Sequence, residues 1–326
     1  MVIQNCFRHA CGTVPRPFSF ILLLILSAAS LMPARGQELN KNLRESEEIA
    51  KPEGVKVGVA LCGGSATGYA HLGFLQALQD ADVKIDCVSG TSMGAIVGMF
   101  YAAGYSPRQI VRIIKQEQMV KRGKIFRFNM KKDGGLADFG RMRRIIAKYI
   151  PHNSFDSLLI PFYCCVTDIN HLRPVYVSKG GLLKEYVTAS ASIPGVFAPV
   201  MIDSVYYVDG FVMNNLPVEP LVEEGCNVRL GLYIEHDTVM ERIDNPAIIA
   251  SRAMNLNSDL CTIDHLPLCT HSVAIKVHGL GKMDFDKIDT FFEYGYQAGV
   301  KFLADLARKG QSISALGNGG EDIKRR

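Results

Sequence analysis

A serine held between two glycines is the residue in this chain best placed to do chemistry. Gly90-Thr91-Ser92-Met93-Gly94 has G-x-S-x-G spacing. That is the spacing of a nucleophile on a sharp strand-to-helix turn, with glycines where backbone must pass close on either side. A serine hydroxyl is a weak nucleophile until a base takes its proton and donors hold the oxyanion its attack creates. The chain offers candidates for both. Upstream, Cys62-Gly63-Gly64-Ser65-Ala66-Thr67-Gly68 would turn its backbone N–H groups together at a helix N-terminus, where negative charge is favoured. Downstream, Asp209 in Tyr207-Val208-Asp209-Gly210 ends a short apolar run before a glycine turn, which lets its carboxylate face a neighbouring loop. Each piece has a plainer reading: a tight turn, a nucleotide-binding or βα loop, a turn aspartate. The loop is not a Walker loop, since no Gly-Lys-Ser/Thr follows, and Ser65 breaks G-x-G-x-x-G.

These residues need elements to position them. Val55 to Leu61 reads as a strand, and Tyr69 to Asp80 as a helix with Leu72, Leu75, Ala77 and Leu78 on one side. Val83 to Val88 reads as the strand leading into Ser92, and Ala95 to Ala103 as the helix leading out. Ser106-Pro107 is an N-cap and first residue for a helix over 107–118, after which the pattern loosens. Strands are expected at 160–167, 175–178, 205–208 and 228–235, and helices at 182–190, 217–224, 246–257 and 288–308. Alternating strands and helices argue an α/β fold with a sheet covered on both faces.

The first 36 of the 326 residues read as an exported leader. Arg8 and Arg16 precede an uncharged apolar run, Phe18 to Met32, and Ala34-Arg35-Gly36 follows with small residues. The run is shorter than the roughly 20 residues of a spanning helix; a retained membrane anchor is the alternative. Residues 37–53 read as a polar linker, 54–308 as the catalytic domain and 309–326 as a flexible tail. Beyond the leader, 33 basic residues face 32 acidic ones, which gives no global case for nucleic acid. Seven of the nine cysteines remain there, an odd number in a large chain, so a disulfide scaffold is not expected.

Taken together, the blocks resemble the patatin-like phospholipase family, in the same order over roughly residues 55 to 235. Gly63-Gly64-Ser65-Ala66-Thr67-Gly68 corresponds to the family's oxyanion loop, and Ser92 to its nucleophile. Ala189-Ser190-Ala191-Ser192-Ile193-Pro194-Gly195-Val196-Phe197 corresponds to its serine–proline block. Asp209, with Asn214-Asn215-Leu216-Pro217 after it, corresponds to its acid. The resemblance implies a three-layer α/β/α fold with a mostly parallel sheet, and a Ser92–Asp209 dyad with no histidine, metal or cofactor. It also implies that the amides of Gly63, Gly64 and Ser65 form the oxyanion hole. The implied substrate is a phospholipid or another lipid ester, met in peripheral contact with a membrane. Three residues depart from the family pattern. Ser65 stands for the third loop glycine, which puts a side chain where positive φ would be strained. Thr67 stands for a basic residue, and Phe211 for a small one in a place that would narrow the site.

Other readings compete. A Ser-His-Asp triad would draw on His236, His265, His271 or His278, none in a distinctive context. Cys261, His265, Cys269 and His271 are ligand types at spacings that match no common zinc module. Residues 119–132 interleave apolar groups with Lys121, Arg122, Lys124, Arg127, Lys131 and Lys132, as an interfacial flap or an amphipathic cover would. A non-catalytic lipid-binding protein on the same fold is the functional alternative.

Overall fold

One strand, β5, explains how distant parts of the chain meet. The computed structural model describes residues 54–119, 127–128, 137–236 and 246–313. Its strands are β1 (Val57–Leu61), β2 (Cys87–Thr91), β3 (Arg127–Phe128), β4 (Ala137–Asp138), β5 (Phe162–Asp168), β6 (Arg173–Val177), β7 (Val200–Ile202), β8 (Val205–Asp209), β9 (Val228–His236) and β10 (His271–Val277). The main sheet runs β10-β9-β1-β2-β5-β8-β7, with β6 also paired to β5. The pairs β10–β9, β9–β1, β1–β2 and β2–β5 are parallel, while β6 and β8 meet β5 antiparallel. Thr91, the last residue of β2, pairs with Cys165; Asp209, the last of β8, pairs with Val166, the next residue of β5. Both Cys165 and Val166 pair with β6 on the other side. Hence β2 and β8 end tip to tip on one edge of β5, and Ser92 leaves its strand where Asp209 arrives.

The helices are α1 (Ala70–Asp80), α2 (Met93–Ala102), α3 (Pro107–Gln116), α4 (Gly140–Tyr149), α5 (Leu183–Ser190), α6 (Glu219–Glu223), α7 (Pro246–His265) and α8 (Ile288–Arg308). Period-two burial along β1 shows the layering. Val57, Val59 and Leu61 join a large core with Leu72, Leu75, Phe100, Ile110 and Phe291 from the helices of one face. Ala60 joins a smaller core with Leu216, Leu221 and Cys226 on the other. The expected three-layer arrangement with a mostly parallel sheet is therefore present. On the large-core side, α1 and α8 cross so closely that a Cβ on Gly73 would fall 1.8 Å from Phe292 O, and one on Gly295 1.7 Å from Ala70 O. Ser106 caps α3 as expected: its Oγ accepts from Gln109 N at 3.3 Å and Gln109 Oε1 accepts from Ser106 N at 2.7 Å.

Several elements differ from the sequence reading. The strand expected at Val83–Val88 is found at Cys87–Thr91, because Val83 still belongs to the turn that closes α1, donating its N–H to Leu78 O at 2.9 Å. The helix expected at 246–257 continues to His265. Helix α4 and strands β7 and β10 were not anticipated. The leader and the linker lie outside the described residues, as do most of the candidate flap at 119–132 and the tail beyond 313.

Candidate active site

Ser92 sits at a strained elbow. Its φ of 56° and ψ of −119° lie outside the regions L-residues prefer, at the step from β2 into α2. The flanking glycines make that step possible. A Cβ on Gly94 would stand 2.3 Å from Leu61 O, and one on Gly90 2.5 Å from Gly94 O. Either would push α2 off the end of the sheet. The elbow is also tied from the side. Ser92 N–H donates to Ser190 Oγ at 2.9 Å, and Ser190 donates to Cys165 O at 2.6 Å. The serine–proline block therefore grips the nucleophile's backbone, a role its composition did not announce.

Ser92 Oγ donates to Asp209 Oδ2 at 2.7 Å. The other carboxylate oxygen, Oδ1, accepts from Phe211 N at 3.0 Å. Around it, Asp209 N–H donates to Ser192 O at 3.0 Å, and Thr167 Oγ1 donates to Asp209 O at 3.0 Å. Asp209 is fully buried. Burial pushes its carboxyl up from 3.8 to about 7, and the bonds from Phe211 and Ser92 oppose that only in part. A carboxyl titrating near neutrality is matched to taking and returning a hydroxyl proton.

The glycine-rich loop approaches from the other side, and here the three amides expected to work together divide. Gly63 N–H is already committed, donating to Asn215 Oδ1 at 3.0 Å and to Asn215 O at 3.4 Å. Its part is to join the loop to the segment after Asp209. No described residue accepts from the N–H of Gly64 or Ser65, which leaves these two as the loop's available donors. Ser65 has φ 52°, the left-handed conformation that a glycine would take without cost. The loop's carbonyls are pinned as well: Thr67 Oγ1 donates to Gly64 O at 2.7 Å, and His71 Nε2 donates to Cys62 O at 2.9 Å. Burial holds the His71 imidazole neutral, lowering its pKa to about 4. Lys282 O accepts from Ala66 N at 3.0 Å.

Ser92 and Ser65 open onto a narrow, mostly apolar slot walled by Tyr69, Ile96, Met119, Phe139, Met142, Ile193, Phe197 and Phe285 among others. Phe139 and Phe197 stack on each other in its wall, with ring centroids 3.9 Å apart. Phe211 is absent from the wall; instead of narrowing the site, it contributes its N–H to Asp209.

The patatin-like phospholipase family model matches residues 59–222, just over half of the chain, a span that holds the glycine-rich loop, Ser92 and Asp209. The chain belongs to the patatin-like phospholipase family. Among its relatives, lysophospholipase nte1 of Aspergillus fumigatus is 27% identical over 290 residues, covering 79% of this chain and 19% of that protein. Lysophospholipase NTE1 of Mycosarcoma maydis is 26% identical over 280 residues, covering 77% of this chain and 15% of that protein. The chain thus spans about a fifth or less of the length of these relatives. Among solved structures, VipD from Legionella pneumophila aligns with a TM-score of 0.45 at 14% identity, covering 78% of this chain and 67% of that one.

The segment after Asp209 is the part of this patatin domain that sequence reasoning treated too lightly. Asn214 Nδ2 donates to Tyr176 Oη at 2.7 Å and to both oxygens of Glu219. Glu219 in turn pairs with His265 Nε2 at 2.6 Å, which raises the His265 pKa above its ordinary value. Asn257 Nδ2 donates to Val212 O at 2.7 Å, and Asn215 Nδ2 to Thr262 Oγ1 at 3.4 Å. A polar side of α7 thus braces the Asp209 turn. His265 is engaged there and His71 at the loop, and no described histidine bonds to Ser92 or Asp209. Cys261, His265, Cys269 and His271 do not converge, and among the described residues no three potential ligands form a metal-binding group.

Proposed function

We propose that this patatin domain is a lipid acyl hydrolase working through acyl-Ser92. The observation that carries the reading is the 2.7 Å bond from Ser92 Oγ to a buried carboxylate at the end of an apolar slot. Asp209 takes the Ser92 proton as Oγ attacks the ester carbonyl, and the N–H groups of Gly64 and Ser65 hold the oxyanion. As the tetrahedral adduct collapses, the alcohol leaves with the proton that Asp209 returns. Water then gives a proton to Asp209, attacks the acyl-serine and releases the fatty acid, restoring the Ser92 hydroxyl. An oxyanion donor is worth about 3 kcal/mol of transition-state stabilisation, so the loop rivals the base in importance.

The slot sets the substrate class. Its wall is mostly apolar, so an acyl chain gains about 0.8 kcal/mol for each methylene it buries. With p-nitrophenyl esters of graded chain length, kcat/KM is expected to climb with each added carbon and level off once the slot is filled. A flat series, or equal turnover by Ser92→Ala, contradicts the reading. The relatives named as lysophospholipases favour a glycerophospholipid-derived ester. Such a substrate lies in or on a lipid surface, which gives the protein peripheral membrane contact. Export is part of this reading, supported by Arg8, Arg16 and the uncharged run Phe18–Met32; a purified product about 36 residues shorter than the full chain supports it, and a full-length product in the exporting cell opposes it.

A further inference from the structure

A second cavity has the opposite chemistry to the acyl slot, and no lining residue is common to the two. It is open to solvent and is bordered by Glu117, Arg141, Arg144, Ile145 and Lys148. Two segments build both cavities. The turn after α3 gives Met119 to the slot and Glu117 to the polar cavity; the start of α4 gives Phe139 and Met142 to the slot, and Arg141 and Arg144 to the cavity. Arg141, Arg144 and Lys148 recur at i, i+3 and i+7, so they form one face of α4, while Met142, Ile145 and Ile146 are buried on another.

The charges here do not cancel. Glu117 is the one carboxylate among the described residues of the wall, and its Oε1 accepts from Lys148 Nζ at 2.6 Å and from Tyr149 Oη at 2.9 Å. Arg141 Nη2 donates to the backbone carbonyl of Glu117, while Arg141 Nε is buried with no partner among the described residues. No described residue pairs with the Arg144 guanidinium, which is exposed at the mouth. A buried, unpaired guanidinium N–H costs free energy until an acceptor reaches it. Two arginines on one helix face, one with a buried unpartnered Nε and one with no described partner, suit the forked geometry by which guanidinium binds phosphate oxygens.

We propose that Arg141 and Arg144, with Lys148 beside them, form a phosphate subsite, and that its ligand is the headgroup phosphate of a glycerophospholipid whose acyl chain lies in the neighbouring slot. The second clause rests on the acyl-hydrolase reading. The first does not, since a free phosphate would engage the same groups.

The test uses the full chain with two esters of one acyl chain: 1-palmitoyl-lysophosphatidylcholine and 1-monopalmitoylglycerol, which lacks phosphate. Arg144→Gln and Arg141→Gln are each expected to lower the ratio of kcat/KM, phosphate ester over neutral ester, by tenfold or more, chiefly through KM of the phosphate ester. Arg144 makes no bond that the fold depends on, so its variant guards against misfolding at Arg141. In parallel, inorganic phosphate is titrated against wild type and Arg144→Gln by calorimetry. If the ratio holds but phosphate binding weakens in the variant, the subsite stands for free phosphate and the headgroup assignment is overturned. If neither changes, the subsite is overturned. Failure of the hydrolase reading shows separately, as no turnover of either ester by wild type.

Discussion

Ionisation of Asp209 should govern both the rate of Ser92 acylation and part of the stability of the fold, and with opposite sign. The carboxyl must be ionised to take the serine proton, yet burial raises its pKa from 3.8 to about 7. At pH 6 only about a tenth of the molecules would carry the base, and at pH 8 about nine-tenths. The second-order rate of fluorophosphonate labelling at Ser92 is therefore expected to rise about tenfold per unit below pH 7 and to level off above it. For stability, the folded state holds the Asp209 proton more firmly than the unfolded chain does. That contribution is fully present below pH 3.8 and is lost as pH rises to about 7, a span on the order of 4 kcal/mol at 1.36 kcal/mol per unit. Asp209→Asn removes the titration, and its Oδ1 can still accept from Phe211 N. Relative to wild type, the variant should gain about 4 kcal/mol at pH 8 and less than half of that at pH 5, read from urea unfolding at the two pH values, while it loses labelling. A labelling profile that breaks near pH 4, or a stability difference that does not grow between pH 5 and pH 8, would refute burial as the factor that sets this carboxyl.

Three substitutions probe the supports. Ser65→Gly releases a left-handed φ that costs a side chain about 1 kcal/mol, and thermal melting should rise by roughly 2–4 °C for a domain of this size; no rise would mean that the loop is not strained there. Ser190→Ala removes the acceptor of Ser92 N–H and leaves a buried donor unpaired, worth about 1–3 kcal/mol. Labelling of Ser92 should slow by more than the melting shift explains, whereas a change in stability alone would make Ser190 a packing residue. Gly94→Ala places a Cβ 2.3 Å from Leu61 O, so soluble yield and cooperative unfolding should both be lost; a well-folded variant would contradict the close approach of α2 to β1.

The sequence made the site more legible than the fold around it. Ser92, Asp209 and the loop could be read locally, since each depends on a few adjacent residues: glycines where backbone must pass and a carboxylate at a strand end. Helix α8 was readable to its ends, because its apolar period runs over 21 residues. What could not be read depends on distant partners. Gly63 looked like an oxyanion donor until Asn215, 152 residues away, claimed its N–H. Ser190 looked like a turn residue because its bond to Ser92 spans 98 residues. Strand β10 was missed because its burial does not alternate cleanly: Ile275 and Val277 are buried, but Val273 and Ala274 only partly so. Helix α4 was missed because three arginines and a lysine among its ten residues mask a short apolar face.

The central claim is that Ser92 is made nucleophilic by Asp209 and by no histidine. It is tested most directly by labelling full-length wild type, Ser92→Ala, Asp209→Asn and His265→Gln with a fluorophosphonate at pH 8 and mapping the adduct by mass spectrometry. The account predicts a single adduct on Ser92 in wild type, none in Ser92→Ala, a rate at least a hundredfold lower in Asp209→Asn, as loss of a positioned general base implies, and a rate within severalfold of wild type in His265→Gln. An adduct elsewhere, or Asp209→Asn labelling as fast as wild type, would contradict it.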